Sequence, residues 1–187
     1  MKKKLLASTL FLFCLTYFFA QTPIQTFSLS GYAVGNIPGN ETDLGGYVMS
    51  EVKKIPGNKY RMYYSVGNAD STKIKYAEST DGITWTGMGQ LLRGSLVPTD
   101  RDFIIGGPTV IEIPGNQYRM YLRCSPTYTI EAPFHIRSYI SNDGVNFTFE
   151  QIVIDVTPDD PNSIFFSAGQ SAIFQATDGT YKMFFTG

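Results

Sequence analysis

The stretch IPGNKYRMYYS, Ile55 to Ser65, returns 58 residues later as IPGNQYRMYLR, Ile113 to Arg123. A looser third copy, ATDGTYKMFFTG, runs from Ala176 to Gly187. Each copy is a turn signal followed by Tyr, a basic residue, Met and two bulky residues. Proline presets φ for a first corner, and Gly or Asn accepts the positive φ of the next, so each copy predicts a reversal that leads into a strand. A second landmark follows the first two copies: STDGITW at 79–85 and SNDGVNF at 141–147, 62 residues apart. Repetition at about this period, with short strand-like segments between turns, predicts a β-propeller built of four-stranded antiparallel blades.

Worked outward from these landmarks, blade one takes strands over 47–54, 59–66 and 73–79, with a frayed fourth at 84 and 90–93. Blade two takes 108–113, 117–124, 133–141 and 147–154, with an excursion at 127–132. Blade three takes 169–175 and 180–185. Its inner strands align with those of blade two without gaps, Gly106 on Gly169 and Tyr118 on Tyr181. The expectation is about two and a half blades, preceded by one or two short strands in 22–37. In the second strand Tyr60, Met62 and Tyr64 share one face, and Arg61, Tyr63 and Ser65 the other. Bulk on both faces suits a blade stacked between neighbours. Two and a half blades leave a ring open, so the chain reads as the front part of a longer protein.

The first residues bear on compartment. Lys2, Lys3 and Lys4 precede an apolar run from Leu5 to Phe19, and Ala20 offers a cleavage site, the layout of a secretory signal peptide. The organisation expected is a signal peptide over 1–20 and an incomplete propeller over 21–187, exported to the periplasm or medium, with no integral membrane segment once the leader is removed. Without the leader, 12 basic side chains stand against 16 acidic ones, so the net charge is near −4. That balance supplies no basic footprint for nucleic acid. Cys124 is then the single cysteine, which excludes an internal disulfide and, in an apolar strand, reads as a packing residue. His135 alternates with Phe134 and Ile136 as a strand-face residue, and one histidine without a cysteine cluster argues against zinc. Asp155, Asp159 and Asp160 read as a solvated loop rather than a calcium site. No cofactor is implied.

YRMYYS followed by IKYAESTDGITW resembles the five-bladed β-propeller glycoside hydrolases, the group of arabinanases, β-xylosidases, levansucrases and invertases. The resemblance covers 44–187 and implies an all-β, partial five-bladed propeller. The Ser-x-Asp-Gly turn is itself structural. Ser79 and Ser141 can bond the turn backbone, Asp81 and Asp143 initiate it, and Trp85 and Phe147 wedge between strands. Sialidase-like propellers, the second alternative, place one more residue between Asp and Gly.

By that resemblance, carboxylates at the starts of inner strands carry the chemistry. Glycoside hydrolysis needs an acid to protonate the leaving oxygen and a carboxylate as base or nucleophile. Asp43, ahead of the first inner strand, is the first candidate. In blade two the family's Asp-Pro is replaced by Gly107-Pro108, and Asp102 is the carboxylate that could stand in for it. Blade three brings none, in Ser167-Ala168-Gly169-Gln170. The family's general acid, commonly a Glu on a later blade, has no counterpart up to Gly187. Tyr47 and Arg123 are candidates for lining a sugar site, since aromatic faces pack on sugar rings and charged groups bind hydroxyls. An oligosaccharide or polysaccharide is the partner implied. The alternative is a non-catalytic propeller that binds a glycan or protein at the cell envelope, which the glycine at 107 favours.

Overall fold

The repeated turns form as their residues dictate. In the computed structural model, Gly57 and Asn58 hold φ of 82° and 55°, and Gly115 and Asn116 hold 91° and 57°. Glycine enters this left-handed region freely and asparagine tolerates it, so both hairpins close at the same place. The structure describes residues 50–68, 71–96, 101–127, 133–156 and 167–186. All of them fall in one unit, Gly31–Gly187. Among them no helix is long and apolar enough to cross a membrane.

Blade one is an antiparallel sheet of β1 (Ser50–Ile55), β2 (Lys59–Asn68), β3 (Ser71–Ser79) and β4 (Thr86–Arg93), in that order. Blade two repeats it with β5 (Ile104–Ile113), β6 (Gln117–Ser125), β7 (His135–Ser141) and β8 (Thr148–Ile154). Blade three is represented by the pair β9 (Ser171–Gln175) and β10 (Tyr181–Phe185). The all-β, partial-propeller expectation therefore holds. Several strand limits shift by one or two residues, and two boundaries differ by more. The fourth strand of blade one is continuous, with register shifts against β3 after Ile74 and after Tyr76. Strand β5 begins at Ile104, before the Gly-Gly-Pro that reads as its boundary, because a bulge between Gly106 and Thr109 absorbs those residues within the strand.

The Ser-x-Asp-Gly turns are small hydrogen-bonded cages. Ser79 Oγ donates to Asp81 Oδ1 at 2.8 Å and accepts from the Gly82 amide at 2.9 Å. Asp81 Oδ1 accepts from the amides of Ile83 and Thr84 at 2.8 and 2.7 Å. Ser141 and Asp143 repeat the arrangement with Gly144, Val145 and Asn146. Backbone amides aimed at the carboxylate hold both aspartates well below the usual carboxylate range.

Face alternation decides the core. Tyr63 and Ile74 of blade one pack with Val110, Met120, Leu122 and Tyr139 of blade two. The opposite face of blade two sets Ile111, Tyr121 and Ile136 against Ile173, Tyr181 and Met183 of blade three. Met62, Tyr64 and Trp85 cluster on the other side of blade one. Strand β5 is buried from Ile104 through Ile111 and touches β1, β2, β3 and β9, as an inner strand should.

The blade-one turn landmark is exposed, whereas that of blade two is clamped. Arg61 Nη1 donates to the Asp143 carbonyl at 3.1 Å, and the Tyr63 hydroxyl donates to the Gly144 carbonyl at 2.9 Å. Arg61 is itself fixed by Glu78, which accepts from Nε at 3.0 Å and Nη2 at 2.7 Å. Phe147 meets the Tyr63 ring edge-on at 6.1 Å. Both motifs of the repeat thus meet across one interface.

Gly94 joins the blades at the other end. Its amide donates to the Thr72 carbonyl at 2.8 Å, and a Cβ there would collide with the Phe103 carbonyl oxygen and lie 2.9 Å from Thr72 Oγ1. Thr72 Oγ1 in turn accepts from the Ile105 amide at 2.8 Å. Gly94→Ala is expected to destabilise the fold by about 1–3 kcal/mol through overpacking against backbone. Urea unfolding measures it; a midpoint equal to that of the parent would contradict the close approach.

Candidate functional site

Asp43 and Tyr47 lie outside the described residues. Asp102 and Arg123 lie at one end of blade two, where the start of β5, the end of β6 and the start of β7 meet. Gly106 pairs with Arg123, and Arg123 with Ile136. The two side chains nevertheless belong to opposite faces of the sheet. Arg137, the partner of Asp102, pairs across the ladder with Leu122, on the face turned to blade one. Arg123 pairs with Ile136, on the face turned to blade three.

Asp102 precedes β5 and reaches β7. Its Oδ2 accepts from Arg137 Nη1 at 3.1 Å, and its backbone carbonyl accepts from the Ser95 amide at 2.9 Å. The Arg137 guanidinium also lies 5.2 Å from the centre of the Phe149 ring. These contacts tie the connection between blades to an outer strand and leave Oδ1 as the oxygen that a hydroxyl could approach. Arg123 stacks on Phe134, its guanidinium carbon 4.5 Å from the ring centre. A planar cation held on an aromatic face presents its N–H edges sideways, which suits hydroxyl or carboxylate recognition.

Gly107 stands in the β5 bulge at φ 59°, where a side chain would be strained. Two residues on, Thr109 Oγ1 donates to the Ser171 carbonyl at 2.6 Å, joining the inner strands of blades two and three. The bulge therefore re-aims β5 between its neighbours, with no carboxylate on it.

Arg137 is a residue that the sequence reading passed over. Its signal was present: in HIRSYIS it shares a face with Tyr139, where an apolar residue would be expected. A charge on such a face calls for a partner, here Asp102. Arg101, beside it, makes a two-oxygen contact with Asp155, at 2.7 Å to each, so Asp155 is ion-paired. Burial pushes the Cys124 thiol up to about 12, which leaves it protonated and packed in the core. Among the described residues no group of three or more His, Cys, Asp or Glu could hold a metal ion.

No protein-family model matches the chain, and no curated protein matches it. Solved structures do. A family 117 glycoside hydrolase of the marine bacterium Zobellia galactanivorans superposes with a TM-score of 0.56 at 11% identity, covering 69% of this chain and 46% of that one. A putative exo-β-1,3-galactanase of Bifidobacterium bifidum gives 0.53 at 19%, covering 73% and 43%. An exo-β-1,3-galactanase of Clostridium thermocellum gives 0.54 at 15%, covering 72% and 30%. The chain therefore shares its β-propeller-type fold with solved glycoside hydrolases, as the repeat landmarks imply. The chain spans about half or less of the length of these three structures.

Proposed function

We propose that this chain is part of an exported carbohydrate-processing propeller, with its glycan site where the starts of the inner strands converge. The observation that supports this best is β5, a buried inner strand in contact with both neighbouring blades, in a propeller architecture shared with glycoside hydrolases. Asp43 supplies the carboxylate of blade one and Asp102 that of blade two; Tyr47 and Arg123 line the sugar, Arg123 from the face of blade two opposite to Asp102. A β-1,3-linked galactan is the first substrate to try, because the Clostridium neighbour is named an exo-β-1,3-galactanase; arabinan and xylan follow.

The test is release of reducing sugar by the exported protein. Asp43→Asn and Asp102→Asn are each expected to lower the rate by about 100-fold or more, the scale of a lost acid–base or charge-stabilising group. Cleavage that persists in both variants would remove these residues from the chemistry.

A second reading, a propeller that binds a glycan without cleaving it, is favoured by Gly107, which puts no carboxylate on the β5 bulge. Retention on a galactan column without sugar release would select it.

A further inference from the structure

The clamp between blades one and two has a second set of parts that holds no turn carbonyl among the described residues. Fifty-eight residues after Arg61 and Tyr63, the repeat supplies Arg119 and Tyr121. They stand side by side as the first pair does. Glu150 holds Arg119 Nη2 at 2.6 Å, the task that Glu78 performs for Arg61. Arg119 Nε is buried with no acceptor among the described residues. No carbonyl accepts from Arg119 or Tyr121 there, whereas two successive carbonyls accept from Arg61 and Tyr63.

Beside Tyr121 lies a groove of about 340 Å³, walled by Val153, Ile154, Ile173, Tyr181 and Met183. It runs between blade two and β10. Strand β10 pairs with β9 alone among the described residues, where blades one and two each have four strands. Val153 and Phe184 are exposed beside this open edge.

We infer that this groove seats a two-stranded β-hairpin of the same repeat. The hairpin adds to β10, and its Ser-x-Asp-Gly-x-x-aromatic turn places the Asp and Gly carbonyls on Arg119 and Tyr121. Four observations converge on that occupant: the duplicated donors, the duplicated carboxylate behind them, the apolar groove, and an edge of β10 that pairs with no further strand among the described residues. A second copy docking its own blade one fits poorly. That blade is already a four-stranded sheet, and its β1 and β2 would claim the space held by β9 and β10. The inference rests on the blade interface and is independent of any action on glycans.

The probe is the chain's own hairpin, a fluorescent peptide of residues 135–154 titrated into the full chain. Saturable one-to-one binding is expected, weakened about tenfold by Tyr121→Phe, the equivalent of one hydrogen bond to a buried carbonyl. Arg119→Gln should weaken it as well, and a peptide carrying Asp143→Ala and Gly144→Val should fail to bind. Because the isolated peptide forms its turn only on docking, a second arm appends a copy of residues 133–154 after Gly187. Thermal unfolding of that chain should shift upward, and the shift should shrink with Tyr121→Phe. Failure of both arms, or binding indifferent to Arg119 and Tyr121, would overturn the proposal. So would sedimentation of the unmodified chain as a dimer that excludes the peptide.

Discussion

Tyr63→Phe is expected to lower the unfolding free energy by about 1–3 kcal/mol, although it removes one oxygen and leaves the ring in place. The hydroxyl is the donor to the Gly144 carbonyl, 81 residues away, in a buried contact. Without it that carbonyl stays buried with an acceptor unfilled, since Phe147 and the Tyr63 ring exclude water from the same place. Tyr63→Ala should lower stability further, by about 3–5 kcal/mol, because the fully buried ring also leaves a cavity between the two blades. Urea denaturation followed by tryptophan emission suits the measurement, as Trp85, the single tryptophan, is in blade one. A Phe variant as stable as the parent would mean that the carbonyl finds water and that the clamp contributes only packing. The two variants together separate the hydrogen bond from the ring.

The clamp also shows what kind of information the sequence carried openly. Both halves of it, YRMY and Ser-x-Asp-Gly, stand out as repeats because each solves a local problem. The first follows a turn that needs positive φ at Gly57 and Asn58; the second builds its own cage of side chain and amide. Local chemistry of this kind is legible, and blade count, strand order and most strand limits follow from it. That Arg61 and Tyr63 reach Asp143 and Gly144 depends on how blades stack, and nothing near either motif encodes it. The start of β5 is hidden for the opposite reason. Gly106-Gly107-Pro108 is local chemistry that normally breaks a strand, and burial of Ile105 against blade one overrides it through a bulge.

The candidate site divides in the same way. Asp102 looks in sequence like an unengaged carboxylate, because its partner Arg137 is 35 residues on and in another strand. Arg123 alternates with Cys124 and Leu122, so its placement on the face turned to blade three could be read from the pleat. Gly107 was legible as a missing carboxylate, but its positive φ, which tells why a glycine suits the bulge, comes only from the fold. The chemistry of a glycoside hydrolase needs two carboxylates arranged about one bond. Among the described residues Asp102 is the only one of the proposed pair, so the burden of the catalytic reading falls on Asp43.

Stability is expected to fall by about 1–3 kcal/mol as the pH is lowered from 6.5 through 4, and His135 is the cause. The imidazole is 3% exposed at the start of β7, opposite Cys124, and its Nε2 has no partner among the described residues. Burial, with Arg137 and Arg101 adding their charge, lowers its pKa to about 4, against an ordinary value of 6.5; Asp155 and Asp102 oppose the shift only in part. Between those two values the unfolded chain binds a proton that the folded chain refuses. Stability therefore rises with pH across this window, is fully present above 6.5, and is lost as pH falls toward 4. His135 is the only histidine, so its ring resonances in an NMR titration need no assignment. They should move near pH 4, while His135→Gln should flatten the stability profile between pH 6.5 and 4.5. The aspartates caged in the Ser-x-Asp-Gly turns titrate lower still, so their loss adds to acid unfolding only beneath this window. A ring that titrates near 6.5 would place His135 in contact with water and detach the acid sensitivity from the blade-two core.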